Sequence, residues 1–135
     1  MKKIFLDTNF IIDYFVREPY SSDAEKVLSL GKVKNYKFYI SFLTIANFAY
    51  VLRKMPKNTL IEMLSKICYL FEIVQNNKDQ VTNALLIDAN DFEDVLQYQS
   101  AIYVGCDCII TRNQKDFSFS KIPVFSASDF ILRYL

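Results

Sequence analysis

Histidine is absent from the 135 residues, and that single absence removes several chemistries. Ser-His-Asp and Cys-His catalysis, imidazole proton shuttling and the usual zinc sites all need a side chain this chain lacks. Tryptophan is also missing, and two glycines are too few for a glycine-rich loop around phosphate. The cysteines, Cys68, Cys106 and Cys108, are odd in number and lack paired metal-ligand spacing. They read as buried free thiols in a reducing compartment. No apolar run approaches the ~20 residues that cross a bilayer, and Met1-Lys2-Lys3 leads straight into a strand-like segment. With neither a secretory signal nor an anchor read, a cytoplasmic protein without membrane contact is expected. Charge of one sign is not in excess either: 16 Lys and Arg stand against 15 Asp and Glu. The remaining chemistry rests on carboxylates, amides and hydroxyls.

Core material is ample. Hydrophobic residues make up 52% and aromatics 16%, which excludes disorder and fits one domain over residues 1–135. Strand patterns are read at 4–6, 37–41, 70–74, 108–111 and 123–126, the last at an edge because of its proline. Helices are read between them at 10–15, 22–30, 44–55, 59–67, 78–88 and 92–104, with a final one at 128–135. Ser22-Asp23-Ala24-Glu25 has the form of a capping box, with Gly31 as the matching C-cap. Pro56 ends the third helix and Ser128 caps the last. Two basic clusters, Lys32/Lys34/Lys37 and Arg53/Lys54/Lys57, read as solvated faces, and a third comprises Arg112, Lys115 and Lys121.

Strands alternating with helices predict an α/β fold: a central, mostly parallel sheet with helices on both faces, a three-layer α/β/α sandwich. Ligands of such sheets bind beyond the carboxyl ends of the strands. Asp7-Thr8-Asn9 follows the first strand; Thr111-Arg112-Asn113 and then Asp116 follow the fourth. Both polar clusters therefore belong to one edge. Each acid has a structural alternative. Asp7 can cap the next helix, although Thr8 or Asn9 would serve as well and leave Asp7 spare. Asp94 fits the third position of a helix capped by Asp91. Asp116 can order a turn, and Asp13 is expected on backbone or a basic neighbour. Together, however, acids on one rim repel each other unless a cation neutralises them, and oxygen-only ligands suit Mg²⁺ or Mn²⁺. Such a site acts on phosphoryl or phosphodiester groups.

The segments FLDTNFIIDYF, SFLTIANFAYVL, DFEDVLQYQSAIYVGCDCIITRNQKDF and IPVFSASDF occur in this order along nearly the whole chain. The chain thereby resembles the PIN domain family, including the VapC-type toxin ribonucleases. The resemblance implies a PIN-like sandwich and metal-dependent cleavage of single-stranded or structured RNA. Asp7, Asp94 and Asp116 match the family's first, third and fourth acids, as catalytic and metal-binding groups. Thr8, Asn9, Thr111 and Asn113 match its supporting polar positions. Asn47 stands where many members carry a glutamate; an amide oxygen is a weaker, uncharged ligand. Asp91 or Glu93 partly compensates, with helix capping the main task of Asp91. The resemblance further implies an antitoxin protein as partner and a homodimer, which the Phe and Tyr content also suits. The alternative is a nuclease-dead module that binds RNA or a protein without cleaving. A haloacid-dehalogenase phosphatase is excluded by Asn9 in place of its second acid, and a receiver domain by the lack of an acid ending FEIVQNN.

Overall fold

The computed structural model describes residues 2–134. Five parallel strands form one sheet: β1 (Lys3–Leu6), β2 (Lys37–Ser41), β3 (Glu72–Val74), β4 (Cys108–Ile110) and β5 (Val124–Phe125). Their order across the sheet is β3-β2-β1-β4-β5. The chain thus builds outward from β1 in one direction, then returns to continue from its other side. The crevice between the ends of β1 and β4 is where such sheets bind ligands.

Alternation along the short strands divides the core. Ile4, Leu6, Ile40, Cys108 and Ile110 face one side, and Phe5, Ile109 and Val74 face the other. The first side is covered by α1 (Thr8–Val16), α2 (Tyr20–Lys34), α3 (Phe42–Val51), α4 (Lys57–Leu70) and α7 (Ala127–Tyr134). The second is covered chiefly by α6 (Phe92–Tyr103), with α5 (Lys78–Ala84) packed beside it. This is the three-layer arrangement expected, with every strand pair parallel.

Several boundaries differ from expectation. The segment 22–25 does not open a helix, because α2 already begins at Tyr20. Gly31 lies inside α2, where an added Cβ would fall 2.2 Å from the Phe38 ring; the glycine permits close helix–sheet packing. The C-cap is Asn35 in the left-handed conformation at φ 59°, which its short polar side chain tolerates. Ser41, whose hydroxyl accepts from the Thr44 N–H at 3.1 Å, starts α3 two residues before the expected position, and α3 ends at Val51. The helix expected over 78–88 stops at Ala84, and Leu85 and Leu86 are exposed in the following turn. Ser126, not Ser128, caps α7, accepting from the Asp129 N–H at 3.1 Å. Residue 135, the expected end of that helix, lies outside the described residues. Cys106 and Cys108 are buried free thiols, with burial pushing both up to about 12, but Cys68 is exposed on α4. No helix among the described residues is long and apolar enough to cross a membrane.

Candidate active site

The site starts where β1 ends. The Asp7 N–H continues the ladder by donating to the Ile110 carbonyl at 3.1 Å, after which the backbone turns into α1. Asp7 is itself the N-cap of that helix, so it is not spare as expected: its Oδ1 accepts from the Thr8 N–H at 2.8 Å. Neither Thr8 nor Asn9 takes over the cap. Instead both hold the surroundings of Asp7 in place.

Asp7 is only 6% exposed, and every hydrogen bond to its carboxylate comes from a neutral group. Thr111 donates its hydroxyl to Oδ2 at 2.8 Å, and the Asn9 amide reaches the same oxygen at 3.3 Å. Thr111 can do this because its N–H donates to the Phe125 carbonyl, fixing the end of β4 against β5. Its hydroxyl in turn accepts from Asn9 at 3.2 Å and from the Asn113 N–H at 3.1 Å. Burial pushes the Asp7 carboxyl above the ordinary range; the bonds from Thr111, Thr8 and Gln97 oppose that rise without overcoming it.

Gln97 is the residue sequence reasoning missed. It is 1% exposed, one turn beyond Asp94 on α6, and its amide N–H group lies 3.3 Å from Asp7 Oδ1. The same nitrogen lies 2.9 Å from the Thr8 hydroxyl and 3.1 Å from that of Thr44. The Thr8 and Thr44 hydroxyls are 2.8 Å apart, so α1, α3 and α6 meet at this polar knot. Gln97 Oε1 is buried without a partner. Turning the amide over would satisfy the oxygen only by aiming it at the Asp7 carboxylate; the orphaned atom is the cost of presenting N–H to Asp7. Nothing local in the sequence singled it out: its neighbours one turn away on α6 are Glu93, Asp94, Ser100 and Ala101.

Asp94 lies half-buried in the first turn of α6, and Asp91 is the N-cap, accepting from the Glu93 N–H at 2.9 Å. Both placements match expectation. The Asp94 carboxyl is pushed up to about 7, first by burial and then by the negative charges of Asp7, Asp91, Asp116 and Glu93. Asp116 is exposed on the 3₁₀ turn Gln114–Phe117 after β4. Asp88, Asp91, Asp94 and Asp116 line a cleft of about 210 Å³, with Lys115 beside them. Asp94 thus stands within the field of both Asp7 and Asp116. The three do not close on a point: among the described residues, no three Asp, Glu, Cys or His side chains are grouped tightly enough to hold one metal ion.

Asn47 is placed differently from expectation. Its amide nitrogen donates to Glu93 Oε1, joining α3 to α6, where an oxygen turned to a metal was expected. Asn113 contributes its backbone N–H to Thr111, and its side chain lines a separate cavity. Asp13, as expected, meets basic neighbours: Arg112 approaches it with Nε at 2.6 Å and Nη2 at 3.2 Å, and Arg17 lies 3.9 Å away.

A buried acid with only neutral donors, beside a rim of further carboxylates, leaves negative charge uncompensated at this edge. A family model described as the PIN domain matches residues 3–115, and the chain belongs to that family. Among characterised proteins it is similar to Ribonuclease VapC1 of Aquifex aeolicus (strain VF5), 31% identical over 142 residues spanning 98% of this chain and 96% of that protein. Two solved structures share the fold. VapBC-1 from nontypeable Haemophilus influenzae matches with TM-score 0.67 and 19% identity, over 93% of this chain and 98% of that one. A toxin-antitoxin complex from Klebsiella pneumoniae matches with TM-score 0.65 and 20% identity, over 92% and 97%.

Proposed function

We propose that this chain is an endoribonuclease of the VapC kind, dependent on Mg²⁺ or Mn²⁺ and silenced by an antitoxin protein. The observation that carries the reading is Asp7: buried, capping α1 and oriented by four neutral donors, yet without a cation of its own. The similarity to a ribonuclease supports the reaction and the toxin–antitoxin complex sharing the fold supports the partner. The donor set fits a hard cation, since carboxylate and amide oxygens are its preferred ligands. Among the described residues no three acids close on one point, but Mg²⁺ keeps several waters and needs only one or two direct carboxylates. Asp7, Asp94 and Asp116 would hold the ion, one or two of them directly and the rest through its waters; when bound it polarises phosphate and lowers the pKa of water. Thr111, Asn9 and Gln97 keep Asp7 in one orientation; Thr8 and Thr44 hold Gln97. Without an ion the Asp94 carboxyl is pushed up to about 7, by burial and then by its acidic neighbours, and a bound cation would displace that proton.

The test is cleavage of a labelled RNA oligonucleotide with Mn²⁺, with chelator, and by Asp94→Asn. Activity lost in both controls supports the reading; equal activity in the variant points to a contaminant. A second reading, a module that binds without cleaving, is favoured by Asn47 and its bond to Glu93. Calorimetry with Mn²⁺ separates the two, because a protein that takes up no divalent ion has no route to the reaction. We also infer a homodimer: α3, α5 and α6 enclose a groove of about 390 Å³ flanked by exposed Phe42 and Val81, apolar surface that a second copy would cover. Light scattering that gives the monomer mass at micromolar concentration would reject this.

A further inference from the structure

Asn9, Thr111, Arg112 and Asn113 line a second cavity, of about 340 Å³. Its inner wall is made by Asn9 and Thr111, the two side chains that also hold Asp7. An occupant would therefore touch the residues that orient Asp7.

Arg112 is the most informative wall. Asp13 takes two of the five guanidinium N–H donors, leaving three free. The guanidinium carbon lies 4.5 Å from the centre of the exposed Tyr20 ring, so the planar group is clamped at its edge and backed on its face. Arg112 thus reaches the cavity with donors to spare beside an aromatic ring. Phe10 and Ala127 supply apolar lining. Asp23, in the first turn of α2, lines the same space and has no side-chain hydrogen bond or ion pair among the described residues. Aromatic ring, guanidinium plane, apolar floor and hydrogen-bonding rim are the features by which proteins seat an unstacked base of single-stranded RNA. A carboxylate is acceptor-only, and guanine alone among the four bases offers two adjacent N–H donors on one edge.

We propose that this cavity is a nucleotide subsite that seats a guanine next to the scissile phosphate, with Asp23 on the base and Arg112 on the sugar-phosphate. The position relative to the phosphate rests on the ribonuclease reading above; the guanine site itself does not.

The probe is GMP titrated against UMP into isotope-labelled protein in chelator, followed through backbone amide shifts. GMP is expected to move Asp23, Arg112 and Ser128, with UMP binding roughly tenfold weaker. Asp23→Asn should remove that preference, and Asp94→Asn should leave GMP binding intact. Tyr20→Ala keeps the Asp13–Arg112 pair, so it should fold and bind GMP more weakly. Absence of GMP shifts at these residues overturns the subsite, whether or not RNA is cleaved. So does an Asp/Glu-rich peptide that produces the shifts when GMP produces none. In a second arm, a randomised RNA is digested with Mn²⁺: guanine enriched beside the cut in wild type and flattened in Asp23→Asn supports the proposal. Cleavage without base preference overturns it. Protein that binds GMP but cuts no RNA retains the guanine site and rejects the nuclease reading.

Discussion

Asp7 and Asp13 lie on the same short segment, at the cap and in the body of α1, and are almost equally buried, at 6% and 3% exposed. Their surroundings are opposite. Asp13 is gripped by the fork of Arg112 and approached by Arg17, which makes it one half of a finished ion pair. Asp7 receives N–H and O–H groups from Thr8, Asn9, Gln97 and Thr111, none of them charged. Hydrogen bonds of this kind orient a carboxylate but leave its charge uncompensated at a rim where Asp94, Asp116 and Glu93 add more. One buried aspartate is part of the scaffold. The other is a demand for a cation.

That contrast breaks most sharply on activity. Asp7→Asn is expected to reduce RNA cleavage by at least ~100-fold, the scale of losing a directly acting charged group. In chelator the same protein should melt no lower than wild type, because a buried like charge has been removed. Cleavage assays paired with melting curves check this, and a strongly lowered Tm would mean that Asp7 is chiefly structural. For the other aspartate the signs reverse. Arg112→Ala strands Asp13 with only a distant Arg17, and should cost about 2–4 kcal/mol in urea unfolding, with or without Mn²⁺.

How far these differences were readable in advance depends on where the deciding partner comes from. Asp7, Asn9 and Thr111 stand out because polar residues directly following buried strands have few other reasons to be there. The basic partner of Asp13 could be expected but not named, since Arg112 lies about a hundred residues away and meets it only through the β1–β4 pairing. Strand order is the missing information: nothing local says that β4 lies beside β1. Gln97 was invisible for a related reason. On a helix that is largely buried, a glutamine aimed into the site and one facing solvent have the same sequence. Gly31 misled because a glycine that admits the Phe38 ring and one that ends a helix look alike until the sheet is in place.

A smaller effect sharpens the electrostatic half of the comparison. Asp94 is pushed up to about 7 in the folded chain by burial and by its acidic neighbours, against an ordinary 3.8. Between those values the folded state binds a proton that the unfolded state has released. Its stabilising contribution is thus present at low pH and is lost as pH rises through about 7. In chelator, Tm should rise as pH is lowered from about 8 to about 5, and Asp94→Asn should flatten that slope. Saturating Mn²⁺ should flatten it too, because an ion that neutralises the rim displaces the proton. A Tm falling over the same interval in all three samples would show that the rim carries no surplus negative charge.

The smallest effect belongs to Asn47, where one amide donor lies against one carboxylate. Its bond to Glu93 ties α3 to α6 and turns Glu93 away from free rotation over the rim. Asn47→Glu replaces that bond with a like-charge contact on a solvent-facing surface, which should cost about 0.5–1 kcal/mol in chelator. The added charge also strengthens the attraction of the rim for a divalent ion, so Mn²⁺ should bind more tightly and the Tm gap between chelator and Mn²⁺ should widen. Calorimetry and paired melts measure both. Adding Glu93→Gln to Asn47→Glu restores an amide facing a carboxylate, with the carboxylate moved to α3. If the rim is one electrostatic unit, this double variant should recover the stability lost in chelator and bind Mn²⁺ about as tightly as wild type. If the double variant instead gains over wild type in affinity, position 47 reaches the ion and position 93 does not. Equal affinities in wild type, the Asn47→Glu variant and the double variant would place both residues outside the ion's field, leaving Asp7, Asp94 and Asp116 to hold it unaided.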